Sequence, residues 1–452
     1  MTTQDEINIG RQNHPQITKL YGGVYENKAL SDYVESVGQL LAQTVERRNF
    51  QYKFTILNSP VVNAFALPGG YIYVTRGLLA LASDEAEMAA VLAHELGHIN
   101  ALHHARRRGT TFLAEALISG IAVTAGKEAA QVSNLISSGL LSAWSREDEI
   151  ESDSLALRYL SRAGFDPKAS VDFLSKLRAH ALLEAKREGK SPGSIDQFDY
   201  LGTHPAPIKR IQTAERQVPK YNQRISDRGR EIYLRKIDGM LYGDDPSQGL
   251  VQGRVFAHPK LRFRFEVPAN FTLFNLSNSV IARGPGQTKI IFDQATKPSD
   301  GPVSYYLKNV WGRNTTLQDL EKLTINGMKA ATGSAALNVN GNRLDARFVA
   351  IRKDLHTIYR FLFLSEPGQK SRYSIPFRRT THSFRLLTEP EVGTLKPLRI
   401  RVHKAQAGDT VDSLSRKMVS ENGHELERLR VLNGLRPKDQ ISTGDKIKLV
   451  QE

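Results

Sequence analysis

Apolar residues recur at helical spacing over 30–45, where Tyr33, Val34, Val37, Leu40, Leu41 and Val45 share one face. The 25 residues before them are polar, carry a Gly22-Gly23 turn and read as loop. Residues 52–57 and 71–74 read as strands, separated by a Ser-Pro turn, the stretch 61–66 and Pro68-Gly69-Gly70. A short helix over 76–81 is followed by a longer one from Glu85 to about Arg106, with Asp84 as N-cap and Glu87 at N3. Helix, small sheet, helix is an α+β arrangement. Further helices are expected from about 146 to 160, ended by Gly164-Phe165-Asp166-Pro167, then over 169–182, and over much of 206–237.

The character changes at Asp244-Asp245-Pro246. Short apolar strands such as Leu261-Arg262-Phe263-Arg264-Phe265, Val280-Ile281-Ala282, Lys289-Ile290-Ile291-Phe292 and 358–363 alternate with Asn, Gly and Pro turns, which predicts an antiparallel sheet. Residues 305–311 and 317–323 are expected to be helical or irregular. The last stretch reads strand 400–402, helix 411–417, helix 426–432 and strand 447–450, a small βααβ unit. The predicted division is 1–245, 246–395 and 396–452.

One segment carries chemistry. In Val91-Leu92-Ala93-His94-Glu95-Leu96-Gly97-His98-Ile99-Asn100, His94 and His98 are four apart and lie one turn apart on one helical face. Two imidazoles so placed can hold one Zn²⁺, and Glu95 can reach a water on that ion. The bland alternative is a chance match on a core helix. Two histidines need at least one more protein ligand, and a glutamate from another helix is the usual partner. In the acidic run Glu147-Asp148-Glu149-Ile150-Glu151-Ser152-Asp153, Glu149 and Asp153 share a face, whereas Glu151 is about 200° around from Glu149. His103 and His104 follow His94 by nine and ten positions and are expected to point away from the ligand face. His204, before Pro205 on a loop, has the setting of a solvent-exposed histidine.

Composition narrows the chemistry. The 452 residues contain no cysteine, so thiolate catalysis, disulfides and Cys-ligated zinc are excluded. The formal charge of +15 favours anionic partners, but the basic residues are scattered and no nucleic-acid motif is present. The small, apolar stretch 111–143 is expected to form core helices, a lid or a peripheral membrane contact. Its most hydrophobic part, 111–125, is broken by Glu115 and Gly120 and is short for a membrane span. No basic-then-apolar leader opens the chain.

Four ordered motifs carry a resemblance. They are Asn63-Ala64-Phe65-Ala66 with Pro68-Gly69-Gly70; His94-Glu95-Leu96-Gly97-His98; Ser145-Arg146 with Glu149 through Asp153; and Thr203-His204-Pro205 with Arg210-Ile211. Over residues 8–240 the chain resembles the HtpX and CAAX-prenyl-protease-like zinc metallopeptidases, and among them the soluble periplasmic, outer-membrane-assembly branch. The resemblance implies a mainly helical, gluzincin-like peptidase domain binding one Zn²⁺ through His94, His98 and Glu149, with Glu95 as catalytic base. It further implies that Asn63, Ala64, Phe65 and Ala66 form a strand lining the substrate cleft, and that His204 approaches the zinc as a second catalytic residue. Asp153 is expected one shell out, orienting a zinc histidine. The middle domain resembles PsbP-like folds in strand pattern. Gly408-Asp409-Thr410 and Asn433-Gly434 make the last unit similar to a LysM module, which implies contact with peptidoglycan. Together these imply polypeptide substrates, a role in quality control of misfolded or unassembled envelope proteins, a possible partner in the outer-membrane assembly machinery, and a periplasmic address reached with a signal peptide outside this sequence. The alternative expectation is a cell-wall-binding protein whose metal site is vestigial or regulatory.

Overall fold

The computed structural model describes the chain except residues 1, 50, 107–143, 188–203, 205–207, 222–226, 296–299, 340–341 and 420–422. The expectations for 111–143 and for Thr203 and Pro205 therefore lie outside the described residues. Among those described, the chain up to Gly243 together with Leu398–Glu452 forms one compact unit, and Asp244–Pro397 forms a second. No helix among the described residues is long and apolar enough to cross a membrane.

In the first unit, helix Lys28–Ala42 buries Leu30, Val34, Val37 and Leu41. It approaches strand Lys53–Leu57 so closely that a Cβ on Gly38 would meet the Phe54 ring at 2.5 Å. Lys53–Leu57 runs parallel to the central strand Tyr71–Thr75, and Ala64–Leu67 pairs antiparallel on its other side, at the edge of the sheet. Thr75 N donates to Asn63 O at 3.0 Å. Backbone direction alternates along a strand, so Ala64 and Ala66 turn their N–H and C=O groups to the open edge.

Most of the stretch expected to be loop before residue 25 is helical. Thr3–Leu20 is a helix, started by a capping box between Thr2 and Asp5. Its buried residues are Glu6, Gly10 and Ile17, and Glu6 pairs with Arg47. A face made of a charge, a glycine and one isoleucine has no apolar period to read.

The helix bearing the two histidines spans Glu85–Asn100, and every residue from Ala86 to Ile99 is buried. Asp84 Oδ1 caps Glu87 N at 2.8 Å as expected. Glu87 does not close the box; its carboxylate takes Ser83 N at 2.8 Å and Lys176 Nζ at 2.6 Å. The helix stops short of Arg106 because Leu102 adopts a φ of +61° and turns the chain back. Helix Arg146–Ala163, capped by Ser145 and ended by Gly164 at φ +83°, packs flush on it. A Cβ at Gly97 would meet Ser152 Oγ at 2.5 Å, and that hydroxyl donates to the His94 carbonyl at 2.5 Å.

The C-terminal stretch folds in the expected strand-helix-helix-strand order, with Arg399–Lys404 paired to Lys446–Gln451. It is not a separate unit. Ile400, Leu414, Leu429, Leu449 and Val450 share one core with Val34, Leu79 and Leu92. Lys448, fully buried, donates to the carbonyls of Ala80 at 2.7 Å, Leu81 at 3.2 Å and Ala82 at 2.5 Å. It thereby satisfies carbonyls at the C-terminal end of helix Arg76–Leu81. The chain departs and returns side by side, with Tyr242 N donating to Leu398 O at 2.8 Å.

The second unit holds a seven-stranded antiparallel sheet and a four-stranded one. The expected helical or irregular stretch 317–323 is instead the edge strand Gln318–Ile325. Its first five residues are exposed, so neither face shows the alternation that marks a strand. Residues 303–311 are helical. Among the described residues, no group of three or more metal-ligating side chains lies in this unit.

Candidate metal centre

The motif helix places His94 and His98 with their Nε2 atoms 3.0 Å apart. The helix Arg146–Ala163 brings Glu149 opposite, its oxygens 3.6 Å from His94 Nε2 and 3.5 Å from His98 Nε2. His204 closes the group, with Nδ1 3.3 Å from His94 Nε2 and 2.8 Å from Glu149 Oε1. All four are buried, and their donor atoms lie within 4.8 Å of one another. Donors at about 2.05 Å around a tetrahedral Zn²⁺ are roughly 3.3 Å apart. The observed spacings are those of that tetrahedron. Facing imidazole nitrogens at such separations share at most one proton each way, so a cation is what satisfies three of them and a carboxylate together. The cluster fits a single Zn²⁺.

Glu95 is buried beside it. Its Oε1 is 3.4 Å from His204 Nε2, and its Oε2 makes no hydrogen bond among the described residues. Burial pushes its carboxyl above the usual range, against the pull of His204 and His94. Glu149 goes the other way. Burial alone would raise it, but the Arg210 guanidinium and His204 hold it well below the usual range. Asp153 is lowered too, Arg210 and His94 overcoming its desolvation. It sits where the helical face places it, with Oδ1 2.9 Å from His94 Nδ1.

His204, which its loop setting suggested was exposed and the resemblance placed near the zinc, is buried inside the donor group. His103 is outside that group but touches it from behind. The turn at Leu102 carries it back under His98, Nδ1 to Nδ1 at 2.8 Å, and Trp144 stacks on the His98 ring at 4.5 Å between centroids. The contact with His98 was not foreseen because the sequence reading continued the helix past Asn100. Arg210 had only its motif to mark it, since a buried arginine between two carboxylates leaves no periodic signal.

The edge strand borders a cleft whose lining includes Ala64, Val91, Glu95, Phe173, Leu174 and Leu177. Ala64 and Ala66 face the open edge, but His104 Nε2 already holds the Ala66 carbonyl at 3.0 Å.

A buried two-histidine helix, a glutamate from a second helix and a further buried carboxylate beside the same point form a donor set of the kind a zinc-dependent peptidase uses. Residues 28–218 match the model described as Peptidase family M48. The chain is 28% identical over 223 residues to the beta-barrel assembly-enhancing protease of Escherichia coli (strain K12), covering 46% of this chain and 42% of the relative. It is 30% identical over 189 residues to the mitochondrial metalloendopeptidase OMA1 of Schizosaccharomyces pombe, covering 42% and 53%. The chain thus spans about half the length of these curated relatives. The solution structure of cyanobacterial PsbP from Synechocystis matches 30% of this chain and 95% of its own at 13% identity, with a TM-score of 0.24, too low to carry an argument.

Proposed function

We propose that the protein is a zinc-dependent endopeptidase of the cell envelope, acting in the periplasm on misfolded or unassembled polypeptides. The observation that carries the catalytic reading is Glu95: a buried carboxylate with a free oxygen beside four converging donors. His94, His98 and Glu149 are the proposed ligands. Zinc held there would lower the pKa of a water and polarise a peptide carbonyl. Glu95 accepts the proton as the water oxygen adds to the carbonyl carbon, and returns it to the leaving amine as the C–N bond breaks. His204, the fourth donor, would hold the ion together with the other three at rest and would have to move aside to admit substrate. It then stands where it can donate to the developing oxyanion.

Substrate enters as an added strand. Ala64 offers its backbone N–H and C=O at the open edge, which fixes an extended peptide irrespective of its sequence. The apolar cleft next to Glu95 then takes an apolar side chain, of the kind unfolded chains expose and folded ones bury. The envelope assignment draws on the assembly-related protease among the relatives. The outer-membrane assembly machinery is the proposed partner. A second reading, contact with peptidoglycan through the outward surface of 398–452, rests on the βααβ order and Gly408-Asp409-Thr410. Sedimentation of the full-length protein with purified peptidoglycan in high salt tests it. The enzymatic reading is tested by casein digestion together with metal analysis of Glu95→Gln. Zinc retained with cleavage lost is expected; equal cleavage by variant and wild type would remove Glu95 as the base.

A further inference from the structure

We infer that His103 is a positioning residue that fixes the tautomer and ring plane of His98, and that it ties His98 to the helix bearing Glu149. The inference rests on the donor cluster being the zinc site. His98 Nε2 faces the other donors, 3.0 Å from His94 Nε2 and 3.5 Å from Glu149. As a ligand it needs a lone pair there, so the His98 proton is on Nδ1. That Nδ1 lies 2.8 Å from His103 Nδ1, which must therefore accept. An imidazole accepting at Nδ1 carries its own proton on Nε2. His103 Nε2 lies 3.2 Å from Glu151 Oε2 and 3.4 Å from Asp148 Oδ1, two carboxylates placed to receive it. Each step forces the next, from cluster to carboxylate.

The acidic run thereby sorts by helical phase. Glu149 turns into the cluster, while Asp148 and Glu151, three apart and on a neighbouring face, hold His103. Ligand and support thus come from one turn of one helix. His103 is fully buried on its ring, and Trp144 covers this assembly, stacking on His98 and lying against His103. A metal-bound imidazole ordinarily gives its second N–H to a carboxylate or carbonyl; here a second imidazole is interposed.

Zinc affinity of the full chain, measured by competition with a chromophoric chelator, tests this in wild type, His103→Leu and His103→Asn. Asparagine puts an oxygen where His103 Nδ1 stands and keeps the acceptor; leucine keeps bulk alone. His103→Leu should weaken zinc binding by about 10–100-fold, and His103→Asn should recover most of that loss. Thermal unfolding of the zinc-free proteins reports packing separately. The paired change Asp148→Asn with Glu151→Gln, at the surface end of the chain of contacts, covers the case in which His103→Leu does not fold; it should weaken zinc several-fold. Wild-type affinity in His103→Leu, equal losses in the leucine and asparagine variants, or wild-type affinity in the paired variant would each overturn the inference. Absence of zinc binding by the wild type would instead overturn the metal-centre reading beneath it.

Discussion

Arg210 grips Asp153 with two nitrogens, Nε at 2.8 Å from Oδ2 and Nη2 at 2.7 Å from Oδ1, and the same guanidinium touches Glu149. Two buried carboxylates one helical turn apart would repel without it. Arg210→Met leaves the pair with imidazole partners alone and should destabilise the zinc-free protein by about 3–5 kcal/mol. Zinc supplies positive charge at the same place, so the loss should shrink when the metal is added. Thermal unfolding with and without zinc measures both. A melting loss that zinc leaves unchanged would mean the arginine serves packing alone.

The third ligand is assigned by helical phase. Glu149→Gln should cut zinc affinity beyond the roughly 10–100-fold that an outer-sphere partner costs, and Glu151→Gln should cost no more than a few-fold. Titration of the two single variants decides. The reverse ranking would place the wrong face of helix Arg146–Ala163 toward the metal.

His204→Ala should leave zinc bound, held by three protein donors, and should change turnover of a short apolar peptide several-fold, upward if opening the fourth position dominates and downward if loss of the oxyanion donor does. Peptide cleavage and zinc content are read on the same preparation. Loss of the metal would make His204 an obligatory ligand; unchanged cleavage would make it a bystander.

Glu95 must be ionised to take a proton. Burial raises its carboxyl above the ordinary 4.5, so the protonated, inactive form persists to higher pH than for an exposed glutamate. The acid limb of kcat/KM, which reports the free enzyme, should therefore fall at a pH above 4.5, with activity rising as pH rises through it. A limb at or below the ordinary carboxylate value would mean that Glu95 is not the titrating base.

Lys448→Met should destabilise the peptidase unit by roughly 2–4 kcal/mol, since three helix-end carbonyls lose their buried donor. Chemical denaturation followed by tryptophan fluorescence is a direct readout, because Trp144 lies against His98 in that unit. An unchanged midpoint would show that the last strand is held by its apolar residues alone.

The motif helix, its N-cap and the phase of Glu149 and Asp153 were legible in the sequence because they depend on spacing within one helix. What stayed hidden depends on chain reversal or on contacts distant in sequence. His103 needed the positive φ at Leu102 to be seen. The first helix was masked because its buried face is Glu6, Gly10 and Ile17. The strand Gln318–Ile325 was masked because an edge strand with both faces wet shows no alternation. The last βααβ unit had its elements placed correctly, but no local pattern announces that Ile400 and Val450 would pack in the same core as Leu92.

That shared core sets an order of events during synthesis. The helix carrying His94 and His98 leaves the ribosome long before Ile447, Leu449 and Val450, which belong to the same apolar cluster, and the whole of Asp244–Pro397 is made in between. Closing so long a loop is an entropic debt that only the final strand settles. The helix carrying His94 and His98 therefore sits in a core that stays incomplete until Ile447, Leu449 and Val450 have joined it.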